Sequence, residues 1–507
     1  MKKALTALLL AAALLLSLGG CGRHGGDPEA SASGSVSSAQ TDVSSQPEEP
    51  ARPFTLPFFP QAPLNPATAG NRSNLTLSAL LYEPLFQVDR DFQAVPVLCT
   101  GAEASYDKLT WTLTLRSGVT FSDGVALTGQ RVAEALNAAR AAGANYAQRL
   151  ACVASVTGDE TTVTITLNTP NGALPLLLDV PISLGGGNRP LGTGPYVLTE
   201  TDGTWSLTAR SGWWQGTALP RETIPLNALS RTDELPFSFS SGDISLVDVD
   251  LMGSGAAGYS GNYQTWDYPT TDLIYIGFNT QRGQCQHAAV RRALARAIDR
   301  TAAAQTIYAS HAVASALPVH PASGLYDEGV AARLAYDPAQ AAQDLSDANV
   351  LGRTLTLIVN SESAAKVSLA NQLASQLEHA GMRIQVRSLS FEEYSAALSS
   401  GSFDLYVGEV ILTADFDLFP LLSPEGALNY GRWQDETGLG FLTSFRASLG
   451  DDRPSTARAL CFYLAEEAPL AAVCFKNSSV LTPWGRVSGL EPVRGNVFYH
   501  LDSWSLS

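Results

Sequence analysis

The chain is poor in lysine and contains no long apolar run. Its 507 residues include 32 Lys or Arg against 48 Asp or Glu, which gives a formal net charge of −16. Beyond the third residue the lysines are Lys108, Lys366 and Lys476. So acidic a surface does not suit a nucleic-acid partner. No run reaches the roughly 18 apolar residues of a membrane-spanning helix, so we expect neither nucleic-acid binding nor a transmembrane helix.

The sequence also lacks the residue patterns of common hydrolases and zinc sites. It contains no H-E-x-x-H motif and no G-x-S-x-G motif, and no two of its 6 histidines lie three or four residues apart. The cysteines that follow Cys21 match no zinc or redox spacing, and their apolar neighbours predict buried thiols: Cys99, Cys152, Cys285, Cys461 and Cys474. We therefore expect no enzyme activity, no cofactor and no metal site.

Two short motifs resemble enzyme signatures but have simpler interpretations. Residues 253–258 fit G-x-G-x-x-G, yet the residues that follow have the composition of a loop instead of the helix that a dinucleotide site needs. Residues 363–366 fit S-x-x-K of penicillin-recognising enzymes, but the chain has no K-T-G. Ser363 stands where a helix cap is expected. We interpret the first motif as a flexible connection and the second as a helix start.

The N-terminus has the features of a bacterial lipoprotein signal. A short positive region precedes 15 apolar residues, 4–18, and Gly19, Gly20 and Cys21 follow in that order. This order resembles a lipobox, in which the thiol of Cys21 takes a lipid and becomes the new N-terminus. An ordinary secretory signal with a chance cysteine is the alternative. We predict a signal peptide over 1–20 and a lipid anchor on the outer face of the cytoplasmic membrane.

A tether is predicted behind Cys21. Residues 21–53 consist mainly of Gly, Ser, Ala, Asp, Glu, Gln and Pro, with Val36 and Val43 as the bulky aliphatic residues. Such a segment cannot bury enough apolar surface to offset the entropy of ordering it. We expect a disordered spacer that holds the remaining chain away from the membrane.

The sequence of the remaining chain predicts a mixed α/β fold. Residues 111–116 and 163–167 alternate apolar and polar side chains, which predicts half-buried strands. Between them, Thr128 is placed to cap a helix. Further on, 355–359, 384–386 and 403–407 predict strands, separated by two helices. This order favours a mainly parallel sheet wrapped by helices.

Several segments, in order, carry a family resemblance. They resemble the extracellular solute-binding proteins of family 5, the peptide- and nickel-binding lipoproteins of ABC importers. The similar segments span about residues 55 to 505 and are 81–85, 115–124, 192–196, 241–244, 277–280, 290–294, 297–300, 336–338 and 401–404. Each match is short, and their common order is what identifies the resemblance.

The resemblance implies an α/β clamshell of the periplasmic-binding-protein kind, type II, in the large oligopeptide-binding-like subclass. Lobe I would be discontinuous, formed by 54–270 plus 477–507, and lobe II would span 271–476. A solute would lie in the cleft, and the lobes would close around it by hinge motion. The glycine-rich turn 192–194 allows a close approach of backbone, either to a neighbouring segment or to a ligand.

The expected ligand pocket departs from the family pattern in residues 408–418. In peptide-binding relatives an aspartate of this stretch receives the α-amino group of the peptide, since a charge-assisted bond offsets desolvation of both groups. The family pattern has a tryptophan in this stretch. Here that tryptophan is absent, and extra residues precede Ala414 and Asp415. Asp415 is the best match, with Glu409 and Asp417 as rivals. A capping or solvent-facing role for Asp415 is the alternative.

A second stretch, 429–433, resembles a family segment that borders the cleft. Asn429 belongs to this segment, and Tyr430 and Trp433 are candidates to hold a ligand between their rings. As aromatic residues they are equally suited to a core.

These observations leave two functional classes open. The first is a monomeric receptor that binds a small solute, a peptide first, and delivers it to a permease driven by a separate ATPase. Nickel chelates, haem or oligosaccharides are alternative solutes. The second class is a sensor, a lipoprotein that binds a peptide signal without bulk uptake.

Overall fold

The computed structural model describes residues 52–253 and 258–507. The predicted signal peptide, Cys21 and nearly all of the predicted tether 21–53 lie outside these residues, as does the middle of the 253–258 motif. Within the described part of the chain, no helix has both the length and the apolar character that a membrane crossing requires.

The described residues form both strands and helices. The strands are β1 (Leu56–Phe58), β2 (Phe86–Val88), β3 (Ala94–Pro96), β4 (Cys99–Ala104), β5 (Thr110–Leu115), β6 (Val153–Gly158), β7 (Thr162–Leu167), β8 (Tyr196–Thr201), β9 (Thr204–Ala209), β10 (Thr223–Ala228), β11 (Val247–Val249), β12 (Tyr263–Phe278), β13 (Ala312–Ala314), β14 (Thr354–Asn360), β15 (Arg383–Leu389), β16 (Leu405–Ile411), β17 (Leu470–Pro483), β18 (Val487–Ser488) and β19 (Ser505–Leu506). The helices are α1 (Arg72–Ser78), α2 (Gly129–Ala139), α3 (Leu235–Ser240), α4 (Ala288–Arg296), α5 (Arg300–Ala302), α6 (Glu328–Ala331), α7 (Pro338–Asp347), α8 (Ala364–His379), α9 (Phe391–Ser400), α10 (Phe419–Leu422), α11 (Glu436–Ala447) and α12 (Asp452–Glu467).

Besides the two-stranded pairs β2-β3 and β18-β19, three larger sheets organise the described elements. An antiparallel sheet has the order β4-β5-β7-β6, and a second sheet has the order β1-β10-β9-β8. The largest sheet has seven strands in the order β11-β17-β12-β16-β14-β15, with β13 added on β17. Each sheet has its own hydrophobic core. The first packs with α2, the second with residues near the C-terminus, and the third with the helices of the 288–467 region.

The long strands β12 and β17 connect two of these cores. Residues 263–269 of β12 pair with 477–483 of β17, and residues 273–277 pair with 470–475. Between the two paired regions the register shifts. Tyr268 lies in the core of the β8–β10 sheet, whereas Leu273 lies in the core of the seven-stranded sheet. The predicted lobe boundaries 270/271 and 476/477 coincide with this irregularity, and the division into lobes stays a prediction.

Local sequence patterns predicted many of these elements correctly. The strands predicted near 111–116, 163–167, 355–359 and 384–386 are β5, β7, β14 and β15. Thr128 caps α2, and Ser363 caps α8 by accepting a hydrogen bond from the backbone N–H of Lys366. The S-x-x-K motif is therefore a helix start.

The predicted parallel arrangement is confirmed for the three strands on which it was based, β14, β15 and β16, but it does not extend to the rest of the large sheet. Among the described strands of the large sheet, β14 pairs in parallel with β15 and β16, and the other pairings are antiparallel. Helices α8 and α9 provide the crossovers that parallel neighbours need. The pairing of β12 and β17 joins residues about 200 positions apart, so no local pattern signals it.

The cysteines are thiols in the described structure. Cys99, Cys285, Cys461 and Cys474 are buried, as predicted, and Cys152 is half-buried. Burial raises the pKa of the Cys99 thiol to about 12, which keeps it protonated and unreactive.

Candidate functional site

A cluster of charged side chains lies where β12 and β17 change register. The ammonium Nζ of Lys476 is 2.9 Å from Asp250 Oδ2, 3.0 Å from Asp272 Oδ2 and 2.9 Å from Glu409 Oε1. The second carboxylate oxygen of Glu409 lies 2.7 Å from Nζ of Lys366. We call these five residues the hinge cluster.

Four separate elements supply the hinge cluster. Lys476 lies in β17, Asp272 in β12, Glu409 in β16 and Lys366 in the first turn of α8, and Asp250 follows β11. The irregularity is fixed locally, since Thr270 donates its hydroxyl to the carbonyl of Lys476 at 2.7 Å and accepts from the N–H of Asp272 at 3.0 Å. These bonds hold Asp272 and Lys476 side by side.

The hinge cluster carries one more negative than positive charge when every member is ionised. Burial raises the pKa of Asp272 to about 6, although Lys476 opposes this shift. For Glu409, burial alone would raise the pKa, but Lys366 and Lys476 outweigh it and hold the pKa below its usual range. Burial would lower the pKa of Lys476, and the surrounding carboxylates raise it instead. Lys476 therefore stays charged at neutral pH.

Two buried acceptor atoms beside the cluster have no hydrogen-bond partner among the described residues. They are Oδ1 of Asp272 and the hydroxyl of Tyr308. Burial raises the pKa of Tyr308, and the charges of Glu409, Asp272 and Asp250 add to this effect. Unpartnered buried polar groups of this kind are uncommon in folded proteins. Within the described part of the chain, the Oδ1 of Asp272 lacks a donor, and the Tyr308 hydroxyl, which can donate or accept, lacks a partner.

A cavity of about 930 Å³ borders the cluster at Asp250. Its lining includes Arg72, which pairs with Asp248 at 2.8 Å, and Phe237, whose side chain is 74% exposed. A volume of this size is within the range of small-molecule sites. Ile411 is 75% exposed at the end of β16, directly opposite Asp272 in the strand pairing.

Asp415, the predicted amine receptor, is 2% exposed and already hydrogen-bonded. Its Oδ2 accepts from Nδ2 of Asn171 at 3.1 Å, and its Oδ1 accepts from the hydroxyl of Thr413 at 2.5 Å. Asn171 belongs to the segment after β7, 244 residues earlier in the chain. Burial and the neighbouring Asp415 raise the pKa of Asp417 to about 6. A binding role for either aspartate stays a prediction.

The three predicted residues of the segment 429–433 make contacts with neighbouring side chains and backbone. Trp433 is 4% exposed and packs near Tyr463, with ring centroids 6.5 Å apart. The side chain of Asn429 closes a local turn, since its Nδ2 donates to the carbonyls of Ser423 and Trp433. Tyr430 is half-buried, with its ring edge-on to Tyr406. The predicted ligand role of these three residues remains a prediction, and their observed contacts are structural.

Of the predicted site residues, the structure brings only Glu409 into the hinge cluster. Sequence reasoning missed the other four members, Lys366, Lys476, Asp272 and Asp250. One signal was present, because Lys476 directly follows the apolar run 470–475 in a chain with few lysines. A lysine in a buried strand needs a partner, but the sequence does not indicate which carboxylate provides it.

A second cavity, of about 670 Å³, surrounds Glu83 of the family-like segment 81–85. The carboxylate accepts from the indole N–H groups of Trp213 and Trp214 at 3.3 and 2.8 Å and from Gln215 at 3.2 Å. These donors satisfy both oxygens of Glu83, which indicates a structural role. The glycine-rich turn 192–194 also packs closely against the segment 81–85, since a Cβ on Gly192 would lie 2.0 Å from the carbonyl oxygen of Leu81.

Comparison with known proteins adds a family match. The family model described as bacterial extracellular solute-binding proteins, family 5 middle, matches residues 93–424. The glutathione-binding protein GsiB of Salmonella paratyphi A is 25% identical over 397 residues, which cover 71% of this chain and 76% of that protein.

Solved structures share the fold at lower identity. A protein described as peptide-binding, AppA from Clostridium difficile, superposes with a TM-score of 0.71 at 18% identity, over 90% of this chain and 100% of that chain. The nickel ABC transporter protein from Bacillus halodurans gives a TM-score of 0.72 at 19% identity, over 88% of this chain and 97% of that chain. The same fold thus serves different solutes, so the fold alone does not identify the ligand.

Proposed function

Because the chain belongs to family 5 of the bacterial extracellular solute-binding proteins, we propose that it captures a short peptide, or another small solute bearing an amine, for an ABC importer. Proteins of this family are the extracytoplasmic substrate-binding components of ABC transporters and are not enzymes. Glutathione, which the curated relatives are named for binding, is itself a tripeptide with a free amine.

The hinge cluster is the observation that supports this proposal. It joins Asp250, which follows β11 beside residues 479–481 of β17, to Glu409 of β16 through Lys476, and Glu409 also pairs with Lys366. A solute that binds there contacts side chains on both sides of the irregularity in β12 and β17. Such a solute favours one relative position of the two sides, which is how ligands drive hinge closure.

We further propose the arrangement expected from the sequence. Lobe I comprises 54–270 plus 477–507 and lobe II comprises 271–476, with a monomer as the working form. A lipid on Cys21 holds the chain at the outer face of the membrane, and the bound solute passes to the permease and its ATPase. Incorporation of labelled lipid that is lost in Cys21→Ser tests the anchor.

Ligand-dependent melting tests the function. The chain without residues 1–20 and with Cys21→Ser is heated with peptide panels, nickel–histidine, haem or sugars. A solute present at 100 times its Kd stabilises the folded state by about 2.7 kcal/mol, so we expect the melting temperature to rise with short peptides. A rise with chelates or sugars alone would contradict the peptide assignment, and no rise with any panel would contradict solute capture.

A further inference from the structure

We infer that the turn 89–93 between β2 and β3 is released by acid. Phe92 of this turn packs against the neutral ring of His320 in the core of the seven-stranded sheet, and protonation of that ring expels the turn. The inference goes beyond the proposed function and does not depend on it. It gives a role to a buried histidine that has no part in solute capture.

Four aromatic rings form a closed circuit around this contact, and we call them the aromatic quartet: Phe92, His320, Phe416 and Phe475. The ring centroid of His320 lies 4.9 Å from that of Phe92 and 5.1 Å from that of Phe475. The circuit closes through Phe416, which lies 6.1 Å from Phe475 and 5.1 Å from Phe92. Each of the four residues is at most 3% exposed. Water is therefore excluded from the ring of His320.

The turn 89–93 joins two separate cores. Phe86 of β2 belongs to the core of the β4–β7 sheet, whereas Val88 and Phe92 belong to the core of the seven-stranded sheet. The other three members of the quartet come from the segment 320–475, which supplies most of the seven-stranded core. In the proposed lobe division, Phe92 belongs to lobe I and the other three rings to lobe II. Release of the turn therefore loosens a contact between the proposed lobes.

Two members of the quartet have a strained backbone. The φ angle is 59° at Phe92 and 55° at Phe416, in the left-handed region that bulky residues rarely adopt. Such conformations persist only where the surrounding structure fixes them. Arg90 anchors the same turn, since its guanidinium donates to the carbonyls of Asp267 and Pro492 at 3.1 and 3.0 Å. Loss of the packing around Phe92 therefore allows the strained turn to relax.

His320 is the member of the quartet that can take up a proton. Its Nδ1 accepts a hydrogen bond from the backbone N–H of Ala322 at 3.0 Å, so the neutral ring carries its proton on Nε2. This buried Nε2 has no partner among the described residues. A second proton would have to bind Nδ1, where it would face the N–H of Ala322 instead of an acceptor. Protonation therefore costs a hydrogen bond and buries an unpaired charge.

The charged groups near the quartet do not compensate a proton on His320. Burial lowers the pKa of His320 to about 4, and residues 315–326, which contain it, include no Asp, Glu, Lys or Arg. Asp91 is exposed. The other charged residues beside the three phenylalanines have hydrogen-bond or ion-pair partners of their own: Asp89, Arg90, Asp415, Asp417 and Lys476.

The lowered pKa sets the direction of the response. The pKa of a released His320 returns to the ordinary value of 6.5, whereas that of the packed ring is about 4. Between these values the released state binds a proton that the packed state does not, so acid favours release. The equilibrium constant for release should rise about 30-fold from pH 8 to pH 5. Because proteins of this family are extracytoplasmic, the turn is exposed to the pH of the surroundings.

Hydrogen exchange of residues 86–96 tests the inference. Protection factors, which correct for the intrinsic effect of pH, are measured by mass spectrometry between pH 5 and 8 on the Cys21→Ser chain without residues 1–20. We expect protection in the turn 89–93 to fall about 30-fold from pH 8 to pH 5. His320→Asn offers an oxygen acceptor to Ala322 but takes up no proton, so its protection should change much less.

A matched control is His311→Asn, which removes a half-buried histidine that pairs with Asp267 at 2.9 Å. This variant should respond to acid as the wild type does. An equal loss of protection in the wild type and His320→Asn would overturn the inference and assign the response to Asp89, whose Oδ1 accepts from the N–H groups of Asp91 and Gln93. A turn without protection at pH 8 would also overturn it.

An NMR titration of the histidine ring protons follows the proton directly and decides the question even if His320→Asn does not fold. One of the 6 histidines should titrate near pH 4 in the wild-type chain. Its pKa should move towards 6.5 in Phe92→Ala, because the ring is then open to water. Ordinary titration of all six would overturn the inference, as would a low pKa that Phe92→Ala leaves unchanged.

Discussion

Lys476 shows how much of this molecule depends on single charged side chains. One ammonium group lies within 3.0 Å of three carboxylates that come from different parts of the chain. Removing one partner of a buried pair leaves an uncompensated charge, which costs more than the pair itself contributes. The cluster is therefore expected to tolerate the loss of Lys476 poorly.

Asp272 gives a pH prediction at the same scale. Burial raises its pKa from 3.8 to about 6, so between these values the folded state binds more protons than the unfolded state. The free energy of unfolding should therefore fall as pH rises from about 4 to 6, by at most about 1.4 kcal/mol per pH unit for this one group. The charges of Glu409 and Asp250 add to the effect of burial on the pKa of Asp272, and Lys476 opposes it.

The measurement is urea unfolding of wild type and Asp272→Asn at several pH values. The difference between the two chains isolates Asp272 from Asp417, whose pKa is also raised to about 6. The difference should change across pH 4 to 6 and level off above about 7. A difference that stays constant over this range would contradict the raised pKa of Asp272.

At the scale of elements, the turn after β7 packs closely against the C-terminal end of α11 and the residues that follow it. The backbone N–H of Gly172 donates to the carbonyl of Arg446 at 2.8 Å, and the neighbouring Asn171 bonds to Asp415. A Cβ at Gly172 would lie 1.9 Å from the carbonyl oxygen of Ser448. Gly172 has no positive φ, so this contact alone requires glycine here.

Gly172→Ala should therefore destabilise the protein by about 1–3 kcal/mol, the usual cost of forcing extra atoms into packed surroundings. Urea unfolding measures the change. Gly440→Ala is a matched control, because Gly440 lies in α11 with no atom within 4 Å of the added Cβ. The control should be neutral or stabilising by up to about 1 kcal/mol. Similar losses in both variants would contradict the close contact.

At the scale of the whole molecule, β12 and β17 link the core of the β8–β10 sheet to the core of the seven-stranded sheet. The hinge cluster lies at this link. We predict that a bound solute brings the two sides together and lowers the radius of gyration, as measured by small-angle X-ray scattering of the Cys21→Ser chain. Glu409→Gln at the same peptide concentration should show a smaller decrease. An unchanged radius with bound peptide would contradict hinge closure.

The sequence by itself determined the family, the α/β class and several individual elements. Ordered short motifs identified the family, and periodicity with helix caps located β5, β7, β14, α2 and α8. These features depend on residues close together in the chain, where side-chain spacing and capping bonds act directly.

Only the tertiary structure decided the pairing of β12 with β17 and the partners of Lys476. The other members of the cluster lie between 67 and 226 residues from Lys476 in the sequence: Asp250, Asp272, Lys366 and Glu409. The hydrogen bond between Asn171 and Asp415 joins residues 244 positions apart. Burial of apolar surface brings such segments together, and charged side chains then pair with whichever opposite charges that packing places nearby. No local pattern records this outcome.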